Sequence, residues 1–178
     1  MRFVETRLKG AYLIEPEIRA DERGFFARAF CRREFLAHGL NPELVQCNLS
    51  FNPASGTLRG MHYQRAPHAE VKLVRCTAGA ICDVILDLRP DSPTFAQWAA
   101  VELSAGNRRL LYVPEGFAHG YQTLTEGAEV FYQVSAFYHP GSEEGARWDD
   151  PAFKIEWPLP VSSISAKDAS YPDWGTLP

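Results

Sequence analysis

The sequence predicts an all-β protein, a sandwich or barrel of short strands with almost no helix. Short apolar and alternating runs recur along the chain, and turn-forming clusters separate them. Glycine and proline, 13 each in 178 residues, are spread over the whole length and leave little room for long helices. No long strand–helix–strand spacing appears, so a parallel nucleotide-binding sheet is not expected.

The elements follow in order. Gly24–Phe30 (GFFARAF) is the first strand candidate. Arg32–His38 carries the one clear helix signal and is stopped by Gly39. The cluster NPASG precedes a strand over Gly60–Gln64. Val71–Cys76 alternates and ends at TAGA, and the apolar run Ala80–Leu88 ends at RPDSP. Gln97–Leu103 closes at SAGN, Leu110–Val113 at PEG and Gly120–Leu124 at TEG. Val130–Tyr138 runs to HPGSEEG. The segment from Pro158 to Pro178 reads as irregular and is expected to wrap the body, so that residues 1–178 form one domain.

Composition narrows the function. Hydrophobic residues make up 46% and charged residues 22%, which excludes wholesale disorder. The net charge of −4 without any Lys/Arg block suggests no nucleic-acid or anionic-membrane partner. The N-terminal stretch is charged every few residues and lacks the apolar centre of a signal peptide, and no apolar run is long enough to span a membrane. Cys31, Cys47, Cys76 and Cys82 form no CxxC pair, and read as reduced thiols in a cytoplasmic protein.

Four stretches are polar where a strand protein is usually bland. DERGFFARAF places Arg23 and Arg28 around Phe25–Phe26. QCNLSFNPASGTLRGMHYQ carries Gln46, Asn48, Arg59 and His62. EVKLVRC sets Lys72 inside an apolar strand, and PEGFAHGYQ holds His119. Each has an ordinary alternative. Lys72 points away from the face of Val71 and Leu73, and on a solvent face it is unremarkable. Arg59 alone is equally well a surface arginine, His62 alone a structural histidine, and Tyr132 alone a core tyrosine with its hydroxyl at the rim.

Two chemistries compete for these residues. PEGFAHG has the P-x-G-x-x-H form of the second motif in cupin-type barrels, but the first motif here is His62-Tyr-Gln64 and lacks its second histidine. A transition-metal site needs three or four good ligands, and His62 and His119 are two, so no metal is expected. The other chemistry is proton transfer on a nucleotide sugar. Arg23, Arg59 and Lys167 suit a diphosphate, and Phe26 suits a stacked base. A carbon acid beside a ketone needs a base, an enolate partner and an acid, and His62, Lys72 and Tyr132 fit by type.

RGFF, QxN, GTLRGMHYQ, KLVRC, DVILDLR, SPTF, VPEGFAHGY, FYQVSAFY, EEGARWDDP and SAKD together resemble, in order and approximate spacing, the dTDP-4-dehydrorhamnose 3,5-epimerase family from about Arg23 to Asp168. The resemblance implies a cupin-type jelly-roll barrel with a few short helices, a homodimer, and no metal or organic cofactor. It implies epimerisation at C3 and C5 of a dTDP-linked 4-keto-6-deoxyhexose. His62 resembles the family's general base, Asp168 the carboxylate that orients it, Lys72 the enolate partner and Tyr132 the acid on the opposite face. Arg23, Gln46, Asn48, Arg59, His119, Glu143 and Lys167 fall at substrate contacts, Phe26 and Arg28 near the nucleotide. The RGFF segment is expected to complete the partner's site. Two positions depart from the family: Arg28 stands where glutamate is usual, and Glu70 where glutamine is common.

Three other readings are weighed against this one: an epimerase of C3 or C5 alone or on another nucleotide, a metal-dependent cupin enzyme, and a non-catalytic sugar-nucleotide binder. The missing second histidine counts against the metal enzyme. The intact set His62, Lys72, Tyr132 and Asp168 counts against the binder.

Overall fold

A computed structural model describes residues 1–175. Two antiparallel sheets form its body. One has six strands in the order β1 (Arg2–Glu5), β2 (Tyr12–Glu15), β10 (Leu110–Val113), β7 (Lys72–Ala78), β12 (Ala128–Val134) and β5 (Gln46–Asn52). The other has five: β13 (Glu143–Gly145), β6 (Leu58–Gln64), β11 (Phe117–Thr123), β8 (Ala80–Asp87) and β9 (Trp98–Ser104). A separate two-stranded ribbon pairs β3 (Arg19–Asp21) with β4 (Gly24–Phe26). Helices are confined to α1 (Arg32–Ala37), α2 (Ala166–Ala169) and one 3-10 turn among the described residues. The fold is all-β and of the jelly-roll class.

Strand parity explains the layers. Val74 and Cys76 of β7, Leu111 and Val113 of β10 and Val130 of β12 pack against Ile81, Ile85, Leu103 and Phe117 of the opposite sheet. That is the core between the sheets. The alternate residues Leu73, Leu110, Tyr112 and Ile14 face outward and are covered by Phe35 of α1 and by Leu40. The outer face of the five-stranded sheet, with Val84, Leu86 and Ala118, lies under Phe153 and Ile155.

Several boundaries differ from the sequence reading. The strand expected over Gly24–Phe30 ends at Phe26, and the one expected to Tyr138 ends at Val134. β1, β2, β3, β5 and β13 were not anticipated. The chain beyond Pro158 runs along the body without strands: the Gln122 side chain bonds both Leu159 backbone groups, and Leu58 N–H donates to Ser163 O. It carries α2, capped by Ser165. The last three residues of this expected wrapping segment lie outside the described residues.

Candidate active site

Lys72 shares its strand face with Val74 and Cys76, so it points between the sheets and not to solvent. In β12, Tyr132 sits beside Val74 on one side and Asn48 on the other, and its face is therefore also the inner one. In β5 the polar residues Gln46, Asn48, Ser50 and Asn52 point in, while Cys47, Leu49 and Phe51 point out. One end of the sandwich interior is thus lined with polar side chains, and the apolar core fills the rest.

Arg59 and His62 are three residues apart, a spacing that puts them on opposite faces of a regular strand. A register shift between β6 and β11 removes the conflict: His62 pairs with His119 and Arg59 with Tyr121, on one face. Glycines permit it. Gly60 has φ +133°, and a Cβ there would lie 2.5 Å from the Cα of Gly120.

These residues line a cavity of about 460 Å³ formed by Arg59, His62, Lys72, His119, Tyr132 and Asp168 together with Lys167. A hollow of about 340 Å³ shares His62, Lys72 and Tyr132 with it, and adds Gln46, Asn48 and Glu143. His62 Nε2 lies 2.8 Å from Asp168 Oδ1, although 106 positions separate the two residues. Gly60 N–H donates to Asp168 Oδ2 at 3.1 Å. Burial opposes ionisation of Asp168, but the His62 bond, the ring's charge and the Gly60 N–H hold its carboxyl below the ordinary range. Burial pushes the Tyr132 hydroxyl up, with Tyr121 and Glu70 adding to the shift and Arg59 opposing it.

Other expected contacts are held by their neighbours. Arg59 Nε donates to Asn52 Oδ1 at 2.8 Å, and His119 Nε2 meets Asp83 Oδ1 at 2.9 Å. Lys167 Nζ lies 2.6 Å from Glu143, which also accepts from Tyr138 Oη at 2.8 Å. Burial works against a charge on Glu143, yet these bonds lower its carboxyl, and the same bonds raise Lys167 and Tyr138. Lys72 Nζ donates to His62 O at 3.2 Å.

Arg23, Phe26 and Arg28 are not brought to this cavity within one chain. Arg23 is exposed and paired with Asp21 at 2.6 Å. Phe26 and Arg28 line a separate polar hollow with Arg19 and Glu34, and Arg28 pairs with Glu34 at 3.6 Å. Among the described residues, no group of three or more His, Cys, Asp and Glu side chains is arranged to hold a metal ion. Asp83 was missed as a site residue. Its signal was a carboxylate inside the apolar run ICDVIL, where a charge needs a partner. No helix among the described residues is long and apolar enough to cross a membrane.

An imidazole steadied by a carboxylate, facing a phenol and an ammonium across one hollow, can take protons from carbon and return them. A family profile described as dTDP-4-dehydrorhamnose 3,5-epimerase matches residues 5–175. A dTDP-4-dehydrorhamnose 3,5-epimerase of Shigella flexneri is 44% identical, over 94% of this chain and 93% of its own. The crystal structure of the enzyme of that name from Elizabethkingia anophelis NUHP1 superposes with a TM-score of 0.95 at 41% identity, covering 98% of this chain and 96% of its own. A dTDP-6-deoxy-D-glucose-3,5-epimerase from Legionella pneumophila Philadelphia 1, in complex with dTDP-4-keto-L-rhamnose, superposes with a TM-score of 0.92 at 38% identity, covering 99% and 94%. The chain belongs to the dTDP-4-dehydrorhamnose 3,5-epimerase family and is an epimerase.

Proposed function

We propose that the protein inverts C3 and C5 of dTDP-4-dehydro-6-deoxyglucose to give dTDP-4-dehydrorhamnose, using His62 as base and Tyr132 as acid. The observation that carries this is the pairing of His62, on the five-stranded sheet, with Asp168 of α2, and Tyr132 facing them from the six-stranded sheet across a shared cavity. C3 and C5 both flank the C4 ketone, so loss of either proton gives an enolate on the same oxygen. Asp168 fixes the ring of His62, leaving its second nitrogen to take the proton. Lys72 offers an ammonium to the enolate oxygen. Tyr132, kept protonated by its raised pKa, returns a proton to the other face, and the centre inverts.

Arg59, His119 and Lys167, with Gln46, Asn48 and Glu143, bind the diphosphate and sugar in this reading. No metal or organic cofactor takes part. The protein acts as a homodimer. The ribbon of one chain brings Arg23, Phe26 and Arg28 to its partner's nucleotide. Supporting this, Phe26 is 65% exposed, and Leu49 and Phe51 present an apolar outer face at 67% and 60%. A cytoplasmic location is part of the same proposal, since the four cysteines are free thiols.

Deuterium incorporation tests the reaction. Incubation with dTDP-4-dehydro-6-deoxyglucose in heavy water is expected to label both C3 and C5 by NMR. Label at one carbon would make the protein a mono-epimerase. No label on this or other nucleotide carriers would overturn the epimerase reading.

A further inference from the structure

Arg59 lines the cavity and is exposed. A guanidinium on so flexible a stem loses rotamer freedom when it binds an anion, and a fixed partner can restrict it beforehand. That partner is Asn52, the last residue of β5, which is only 1% exposed. Its Oδ1 accepts from Arg59 Nε at 2.8 Å. β5 and β6 belong to different sheets, so the bond ties the two sheets together where the chain passes from one to the other.

The amide of Asn52 is itself held. Its Nδ2 donates to Ala128 O and Tyr121 Oη, both at 3.2 Å, with Ser50 O at 3.4 Å. Tyr121 Oη in turn lies 2.8 Å from Ser50 Oγ. These partners permit one orientation of the amide, because Arg59 Nε can only donate and the backbone carbonyls can only accept. A guanidinium carries five N–H donors. The bond at Nε engages one and leaves the pairs on Nη1 and Nη2 for acceptors in the cavity. That remaining fork matches two oxygens of a phosphate.

We infer that Asn52 is a positioning residue for the diphosphate: it holds Arg59 by Nε so that both Nη groups stay turned to the phosphate oxygens. The inference rests on the diphosphate role proposed for Arg59. Asn52 is not among the residues that line the cavity, and it acts through Arg59. Its loss therefore weakens the grip on the phosphates, while the nucleoside contacts and the proton transfers at His62 and Tyr132 stay in place.

The test compares Asn52→Ala, Arg59→Met and the double variant with the parent. For each, the Kd of dTDP, the Kd of thymidine, and kcat and KM for dTDP-4-dehydro-6-deoxyglucose are measured. Thymidine lacks phosphate and reports on the nucleoside contacts alone. Asn52→Ala is expected to weaken dTDP binding and raise KM about tenfold, with thymidine affinity and kcat within about twofold of the parent. Arg59→Met is expected to weaken dTDP binding about 10²-fold. In that background Asn52→Ala is expected to add nothing. A nitrogen-15 NMR measurement on the unmutated protein serves if the alanine variant does not fold. The Arg59 Nε–H, identified by its loss in Arg59→Lys, is expected to exchange with solvent about tenfold or more slowly than that of exposed Arg33.

Parent-like dTDP affinity in Asn52→Ala would overturn the inference. So would an equal loss of thymidine affinity or of kcat, because that is a general structural defect. A full effect of Asn52→Ala in the Arg59→Met background, or an Arg59 Nε–H that exchanges as fast as that of Arg33, would also overturn it. Parent-like dTDP affinity in Arg59→Met alone would instead remove Arg59 from the diphosphate, which is a failure of the underlying reading and separable from the others.

Discussion

Asp168 is held below the ordinary carboxylate range, so at neutral pH it stands ionised against His62 and fixes one tautomer of the ring. His62→Ala is therefore expected to abolish deuterium exchange at both C3 and C5, since one base serves both carbons. Asp168→Asn should leave a weaker, misoriented base and lower kcat by about 10²- to 10⁴-fold. Tyr132→Phe should keep measurable exchange while inversion is impaired, because abstraction precedes reprotonation. Exchange that survives His62→Ala, or full epimerisation by Tyr132→Phe, would remove that residue from its role. At this scale the sequence was most informative as an ordered set of motifs. Residue chemistry alone left Arg59, His62, Lys72 and Tyr132 with ordinary alternatives. The fold brings them to one cavity: Lys72 falls on the face of Val74, and the register shift beside Gly60 turns Arg59 and His62 the same way. The His62–Asp168 pairing spans 106 positions and carries no local signal.

The strands show how function distorts the sequence pattern. β5 has its polar residues inward and Leu49 and Phe51 outward, the reverse of a strand over an apolar core. Periodicity gives its pitch but not which face is buried, and so β5 escaped notice. β1, β2 and β13 are three or four residues long; β1 pairs with its neighbour β2, and β2 and β13 join the sheets through ladder partners far along the chain. The longer apolar strands β8 and β9 were legible because burial on one or both faces dictates their composition. Close approach of β6 and β11 gives an element-scale prediction. Gly60→Ala puts a Cβ 2.5 Å from Gly120 Cα at a left-handed φ, and is expected to destabilise by about 3 kcal/mol or to displace His62, read as a lower melting midpoint with reduced kcat. A melting midpoint and kcat equal to the parent's would contradict that packing. The turn after β8 gives another. Asp87 is fully buried and accepts from Arg89 Nε, Ser92 Oγ and Thr94 Oγ1. Burial alone would raise its pKa, yet these donors bring it from 3.8 down to about 2. A depressed carboxylate stabilises the fold above its unfolded pKa, and that contribution is lost as pH falls through the folded one. Roughly 2 kcal/mol should therefore disappear between about pH 4 and pH 2. Denaturant titrations across that window should show the slope, and Asp87→Asn should flatten it.

At the scale of the molecule, the ribbon formed by β3 and β4 has no strand partner in either sheet, and it carries Arg23 and Phe26 away from the cavity of its own chain. Isolated two-stranded ribbons are marginal in water. Exposed Phe25 and Phe26 on this one, with Leu49 and Phe51 on the outward face of β5, are the surfaces that the proposed dimer covers. Leu49→Glu with Phe51→Glu places two charges on that face. The double variant is expected to sediment as a folded monomer and to lose epimerase activity, because each site then lacks the other chain's ribbon. A folded monomer with full activity would mean that one chain suffices. Complementation separates loss of assembly from loss of the shared site. In a mixture of His62→Ala and Arg23→Ala chains allowed to exchange, every heterodimer contains one site with both residues intact. Half of the dimers are mixed and each has two sites, so activity should recover to about a quarter of the wild-type value. If the ribbon served its own chain, a mixed dimer would contain one site without His62 and one without Arg23, and mixing would restore nothing.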